Sequence, residues 1–292
     1  MKRFLLIALG VWLVQSACAR QFDLETIVKS VTNGKKATVG AAVCTDDGKV
    51  QVVNNTVHFP LMSVFKFHIA LAVLHHLDAQ QLPVETELFI RPQDLKPNTY
   101  SPLRDKYPDG NFKMSIADLL RYSISLSDNN ACDILLEYMG GPAVVDTYIK
   151  GLGIDGCSIT VSEQQMGEKV NNEYLNWTTP SSVAQLFRVF FRRSLFALKY
   201  KNFLEQTLIE TSTGMNKLRA GLPAEVILGH KTGSSLRTEA GVRIADNDAG
   251  FVRLPDGRQY YIAVFVMNSL EDDQTNAAMI AEISRKVYEA MK

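Results

Sequence analysis

The chain has 292 residues, 46% of them hydrophobic and 21% charged, which is enough apolar material for a large core and rules out a disordered chain. Lys plus Arg and Asp plus Glu each number 31, so the formal net charge is zero. That balance excludes the clustered basic surface needed to grip a nucleic-acid backbone and points to a compact protein acting on something small.

Lys2 and Arg3 precede an apolar run from Phe4 to Val14, and Ala17-Cys18-Ala19 follows with the small-x-small pattern of a cleavage site. Residues 1–19 therefore read as a signal peptide. The run is shorter than the roughly 20 residues that span a bilayer, so no transmembrane segment is expected. Ser16-Ala17-Cys18 also reads as a lipoprotein box with Cys18 acylated, although Gln15 fits that box poorly. On both readings the mature chain starts near Arg20, outside the cytoplasm.

Export permits disulfides. Cys44, Cys132 and Cys157 remain after Cys18, an odd number without C-x-x-C spacing, and they read as scattered buried thiols. The histidines (His58, His68, His75, His76 and His230) form no H-x-H-x-D or H-E-x-x-H motif, and neither a G-x-S-x-G elbow nor a P-loop occurs. The expected chemistry uses neither metal nor cofactor.

In chain order, Asp23–Asn33 reads as a helix stopped by Gly34. Thr38–Cys44 and Lys49–Asn54 alternate like strands around an Asp46-Asp47-Gly48 turn. Helices follow at Ser63–Leu77, Ser115–Ser123, Asn130–Tyr138, Pro142–Leu152, Ser181–Phe191 and Tyr200–Glu210. Strands return at Val226–Thr232, Ala249–Leu254 and Tyr260–Asn268, and Gln274–Met291 closes the chain as an amphipathic helix. The fold class is α/β in the α+β sense: an antiparallel sheet built from both chain ends, flanked by the terminal helices, with an inserted all-helical lobe. The boundaries fall at 20–60 and 212–292 for the sheet lobe and at 61–211 for the helical lobe.

Three short motifs carry chemistry. In Ser63-Val64-Phe65-Lys66, at the start of a helix, positions i and i+3 share a face, so Lys66 can reach the Ser63 hydroxyl and activate it. Free N–H groups in that first turn favour developing negative charge. Alone, the motif is as well explained by a serine cap. Ser127-Asp128-Asn129 also fits an N-cap cluster; functionally, Ser127 can pass a proton to a leaving nitrogen while Asn129 holds a carbonyl. Lys231-Thr232-Gly233-Ser234 fits an edge strand with an exposed lysine. It also fits a strand presenting Lys231, Thr232 and Ser234 to a substrate carboxylate, with Gly233 allowing close approach of the substrate backbone.

The conjunction is far more specific than its parts. In this order the three motifs resemble those of the class A serine β-lactamases, and the resemblance covers nearly the whole mature length. Asn98-Thr99-Tyr100-Ser101-Pro102 resembles the segment that makes Tyr100 the aromatic wall of that family's cleft, and Gly221-Leu222-Pro223-Ala224 also fits. For the deacylating glutamate, Glu163 and Glu173 are candidates. The spacing from Ser127 and to Lys231 favours Glu163, while Glu173 lies too near the Thr178-Thr179-Pro180 that closes an Ω-like loop over residues 161–180.

Gln164, Gly167 and Val161 depart from the usual pattern and resemble subclass A2, the branch of cephalosporinases and extended-spectrum enzymes. The resemblance implies hydrolysis of cephalosporins and penicillins through a Ser63 acyl-enzyme. Lys66, or Glu163 through a water, is the acylation base. Ser127 and Lys231 serve the leaving nitrogen, and Glu163 activates the deacylating water. It also implies a periplasmic monomer, or a lipoprotein held at Cys18, whose partner is a small β-lactam. A penicillin-binding D,D-peptidase and a non-catalytic β-lactam receptor are the rivals. Arg219, Arg237 and Arg243 all remain open as the carboxylate-binding arginine. Where the family pins its loop with an arginine–aspartate pair and a helix asparagine, this chain has Val161, Asn176 and Asp133, so a hydrogen bond from the Asn176 amide to Asp133 is expected to close the loop. Ser63→Ala is expected to abolish covalent labelling by a penicillin in intact-mass spectra; labelling retained at another residue would remove Ser63 from its role.

Overall fold

The structure is a computed structural model that describes residues 22–292. The leader read at 1–19, Cys18 included, lies outside the described residues. The first helix, α1 (Leu24–Thr32), is capped by Asp23 and followed by the hairpin β1 (Thr38–Thr45) and β2 (Val50–Val53). The short strand β3 (Phe59–Pro60) leads into a 3₁₀ turn at Met62–Val64 and the helix α2 (Phe65–Ala79). Next come β4 (Glu87–Ile90), α3 (Pro102–Lys106), β5 (Phe112–Ser115), α4 (Ile116–Ser125), α5 (Asn129–Tyr138) and α6 (Pro142–Gly151). The loop region contains β6 (Cys157–Ser158), α7 (Glu163–Gly167) and β7 (Trp177–Thr178). Two longer helices, α8 (Pro180–Arg192) and α9 (Leu198–Ile209), precede β8 (Ile227–Ser234), β9 (Arg243–Arg253), β10 (Gln259–Ser269) and α10 (Asp273–Met291).

The main sheet runs β2-β1-β10-β9-β8, antiparallel throughout, and so joins the two chain ends as the alternation of their residues predicts. Period-2 alternation divides each central strand between two cores. Val39, Ala41 and Val43 of β1, with Tyr260, Ile262, Val264 and Val266 of β10, pack against α1 and α10. Ala42 and Cys44, with Tyr261, Ala263 and Phe265, face the helical lobe. Both faces are covered, which explains strands buried at almost every position.

At the centre of the lobe, α2 is apolar all round, as a helix surrounded by others must be. Phe67 stacks on Phe187 of α8 at 4.0 Å between ring centroids. Lys66, on the first turn of α2, is consequently buried with it.

Two elements depart from expectation. β9 begins at Arg243, earlier than the Ala249 read from hydrophobicity, because its first half carries buried polar residues. Asp246 pairs with Lys217, Asp248 with His230, and Asn247 Nδ2 donates to Pro60 O at 2.8 Å. The β4–β5 hairpin joins segments far apart in sequence, and its local patterns are too short to read. The three thiols Cys44, Cys132 and Cys157 are buried and unbonded. Among the described residues no helix is long and apolar enough to cross a membrane.

Candidate active site

Ser63 sits in the 3₁₀ turn that opens α2, after Met62 at φ 44°, a left-handed conformation unusual for a side chain of that size. The turn lifts Ser63 out of the helix, so the reach to Lys66 does not depend on ideal α-helical spacing. Lys66 Nζ lies 2.9 Å from Ser63 Oγ, 2.8 Å from Ser127 O, 2.6 Å from Asn129 Oδ1 and 2.9 Å from Glu163 Oε1. Ser63 Oγ in turn donates to Glu163 Oε1 at 3.2 Å. One ammonium thus gathers the helix start, the Ser127 turn and the Ω-like loop.

Ser127 also has a left-handed backbone, φ 61°, which turns its carbonyl to Lys66 while its hydroxyl meets Lys231 Nζ at 2.9 Å. Asp128 does cap α5, accepting from Ala131 N, but its carboxylate also takes Leu103 N at 2.6 Å and Ser101 Oγ at 3.0 Å. The cap therefore fixes the segment that carries Tyr100, which stands exposed on the cleft wall. Asn129 spends its amide on Thr99 Oγ1 and its carbonyl on Lys66. Arg104, which no motif marks, donates to the carbonyls of Lys96, Pro97 and Thr99 and knots this wall together.

β8 is an edge strand, yet Lys231 is fully buried rather than exposed, because the helical lobe and the segment after α9 cover that edge. Thr211 Oγ1 bonds His230 O there, and Thr213 Oγ1 lies 2.6 Å from Thr232 Oγ1. Burial, then the nearby Lys66 charge, push the Lys231 ammonium well below the usual lysine range. Gly233 has a nearer reason than substrate approach: a Cβ there would stand 2.7 Å from Leu61 O and 3.0 Å from Ser63 N. Its absence lets β8 lie against the nucleophile's turn. Ser235 N donates to Ala245 O, so the alternating amide of Ser234 points the other way, into the cleft beside the free Ser63 N–H.

The Ω-like loop is held differently from expectation. Asp133 and Asn176 do not bond to each other; each takes backbone groups instead. Asp133 Oδ1 and Oδ2 accept Glu163 N and Gln164 N, both at 2.8 Å. The Asn176 side chain accepts Thr160 N and Val161 N and donates to Val161 O, closing the neck of the loop, while Asn176 O takes Leu61 N next to the nucleophile. A carboxylate has two acceptor atoms and two adjacent amides suit it better than one distant side chain. Burial and the Glu163 charge still raise the Asp133 carboxyl to about 6. Glu173 lies on the cleft wall, its carboxyl raised to about 7 chiefly by burial, and makes no hydrogen bond to Ser63.

Two of the three arginines are turned away from the cleft, and the third, Arg243, keeps only its buried Nε without a partner. Arg219 donates to Val226 O and Leu222 O, Arg237 pairs with Asp273, and Arg243, although it lines the cleft, pairs with Asp273 and Ser235 O. A second cation at this end of the cleft is Lys217, whose Nζ is 2.9 Å from Ser234 Oγ. No motif announces it, since its partners lie on strands distant in sequence. The cleft lined by Ser63, Tyr100, Ser127, Glu163, Lys217 and Ser234 has a volume of about 760 Å³.

A serine flanked by a lysine and a carboxylate, facing two inward amides at the junction of a helical lobe and an antiparallel sheet, defines a serine hydrolase that works by acyl transfer. The model of the β-lactamase enzyme family matches residues 23–291. A β-lactamase of Bacteroides uniformis is 52% identical, with 92% of each chain covered. The extended-spectrum β-lactamase PER-1 of Pseudomonas aeruginosa is 37% identical over 91% of this chain and 86% of that one. The crystal structure of a class A β-lactamase from Bacteroides cellulosilyticus superposes with a TM-score of 0.90 at 51% identity, covering 92% of this chain and 96% of the other. The chain belongs to the β-lactamase enzyme family, within its class A serine enzymes.

Asp133→Asn leaves one acceptor oxygen for two loop amides. It is expected to cost about 1–3 kcal/mol of stability in denaturant unfolding and to slow deacylation more than acylation in pre-steady-state kinetics. Unchanged stability and rates would mean that Asp133 does not hold the loop.

Proposed function

We propose that the chain is an exported, monomeric β-lactamase that opens the ring of cephalosporins and penicillins through a Ser63 acyl-enzyme and favours cephalosporins. The observation that carries the mechanism is Ser63 Oγ held between Lys66 Nζ at 2.9 Å and Glu163 Oε1 at 3.2 Å. In this arrangement the Lys66 ammonium donates to Ser63 and Glu163 accepts from it, so Glu163 is placed to receive the serine proton while Lys66 stabilises the forming alkoxide. The carbonyl oxygen becomes an oxyanion between the amides of Ser63 and Ser234. As the ring C–N bond breaks, Ser127 gives its hydroxyl proton to the nitrogen, and Lys231 Nζ, hydrogen-bonded to that hydroxyl, hands one back; the proton that Glu163 took from Ser63 then passes by way of Lys66 to restore the Lys231–Ser127 pair, so that Glu163 is a carboxylate again. Glu163 then takes a proton from the water that attacks the ester, and the proton returns to Ser63 as the product acid departs.

Tyr100 forms the aromatic wall, Asn129 holds the substrate amide on exchanging its Thr99 contact, and Thr232 and Ser234 receive the ring carboxylate with Lys217. Gly233, Asp133 and Asn176 position these groups. The same Glu163 contact weighs against a D,D-peptidase or a β-lactam receptor, since both remain acylated for want of a hydrolytic base. Residues 1–19 supply export to the periplasm, and in the alternative reading of that leader Cys18 is the lipid anchor. The subclass A2 features centre on Gly167: a Cβ added there meets nothing within 4 Å, which supports a cleft roomy enough for bulky cephalosporin side chains.

Glu163→Gln is expected to leave a long-lived acyl-enzyme in intact-mass spectra, whereas Glu173→Gln should deacylate at nearly the parent rate. The reverse pattern would transfer the hydrolytic role to Glu173. In steady-state assays kcat/KM should be higher for cephalosporins than for penicillins; a clear penicillin preference would refute the substrate assignment and leave the mechanism standing.

A further inference from the structure

One end of the cleft holds an ion pair that the acyl-transfer steps do not require. Lys217 Nζ lies 2.5 Å from Asp246 Oδ1, 2.9 Å from Ser234 Oγ and 3.3 Å from Asn247 O. An ammonium has three hydrogens, and these are three acceptors. Ser234 Oγ gives its only hydrogen to Asp246 Oδ1 at 2.7 Å. Lys217 and Asp246 both line the cleft, yet are only 6% and 3% exposed. The donors best suited to an incoming carboxylate are therefore already committed to a carboxylate of the protein.

We propose that Asp246 is a specificity-determining residue: it competes with the substrate's ring carboxylate for Lys217 and Ser234, so that anion binding must open a closed, charge-neutral triad. The proposal rests on the β-lactam reading of the cleft. Asp246 stands directly opposite Ser234 in the β8–β9 pairing, which fixes its backbone and leaves its carboxylate the reach of a short side chain only. Lys217 is the member that moves. Its neighbour Leu218 is fixed, its N–H donating to Asp248 Oδ2 at 3.1 Å, and Asp248 is itself held by His230 Nδ1 at 2.8 Å. Movement is thus confined to the flexible lysine stem.

Opening costs the triad two hydrogen bonds and brings the substrate carboxylate close to that of Asp246, a like-charge contact that opposes binding. An anion gains entry only if it supplies compensating contacts elsewhere in the cleft, as a β-lactam does at Ser63, Asn129 and Ser127. A small anion supplies none. Asp246 thereby keeps the subsite from being filled by simple salts and sets the affinity for every substrate that carries the carboxylate.

The test compares a chromogenic cephalosporin bearing the free ring carboxylate with its methyl ester. Asp246→Asn should lower the acid-to-ester KM ratio about tenfold, with kcat for the acid changing by less than about threefold. The same variant should become competitively inhibited by sodium sulfate at concentrations that leave the parent unaffected. Lys217→Met, which leaves Asp246 a carboxylate with the Ser234 hydroxyl but no counter-charge, should raise KM for the acid, and adding Asp246→Asn to it should lower KM again. An unchanged or raised KM ratio in Asp246→Asn overturns the proposal. Should that variant not fold, equal KM values for Lys217→Met and the double variant overturn it instead. Failure of the β-lactam reading is distinguishable, because the parent chain would then turn over neither compound.

Discussion

A fully buried ammonium at Lys66 has to be met on every N–H, and the elements that meet it are the ones that make the cleft. Removing such a charge from water costs several kcal/mol unless close partners replace the solvent. Here the partners are the Ser63 hydroxyl, the Ser127 carbonyl, the Asn129 amide and the Glu163 carboxylate. They come from three stretches of chain, the start of α2, the Ser127–Asn129 turn and the Ω-like loop, so docking them around one nitrogen fixes the relative positions of nucleophile, proton relay and loop. The left-handed backbones at Met62 and Ser127 are the local distortions through which two of these stretches reach it.

The sheet supplies the opposite wall by a related device. Its edge strand carries a second buried lysine, and its neighbour β9 carries Asp246, Asn247 and Asp248 in succession. Asp246 and Asp248, two residues apart, share one face of β9, where Asp246 meets Lys217 and Ser234 and Asp248 meets His230 and Leu218 N, while alternation turns Asn247 to the opposite face, where it ties the sheet to Pro60 just before the nucleophile's turn. Gly233 completes the join by letting β8 approach the Leu61–Ser63 backbone. The cleft is thus a seam between two lobes, held by polar contacts that the surrounding apolar cores make rigid.

What could be read from the sequence was what is local. The Ser63–Lys66 spacing, the Ser127–Asn129 triplet, the Lys231–Ser234 run and the terminal strands are short patterns with a period or a fixed separation. The α+β architecture followed from where strands and helices cluster along the chain. The pairing of Asp133 with Asn176 was misjudged because each binds backbone amides, and a backbone partner leaves no trace in residue type. Lys217 and the start of β9 were missed for a linked reason. The polar residues that break the hydrophobic pattern are satisfied by partners distant in sequence, and only the folded chain brings these together.

The pairing of β1 with β10 has a consequence for the order in which the molecule can be assembled. Thr38 lies beside Met267 and Thr45 beside Tyr260, so a strand made near the start of synthesis waits for one made near its end. Contacts of such long sequence separation are slow to form and close the largest loops. The helical lobe has many of its partners at hand earlier, but β8, which completes the catalytic seam, emerges late and gains its strand neighbour β9 later still. Until the last strands arrive there is a lysine-bearing helix without its opposite wall. The nucleophile's environment is therefore complete only once the last strands have paired.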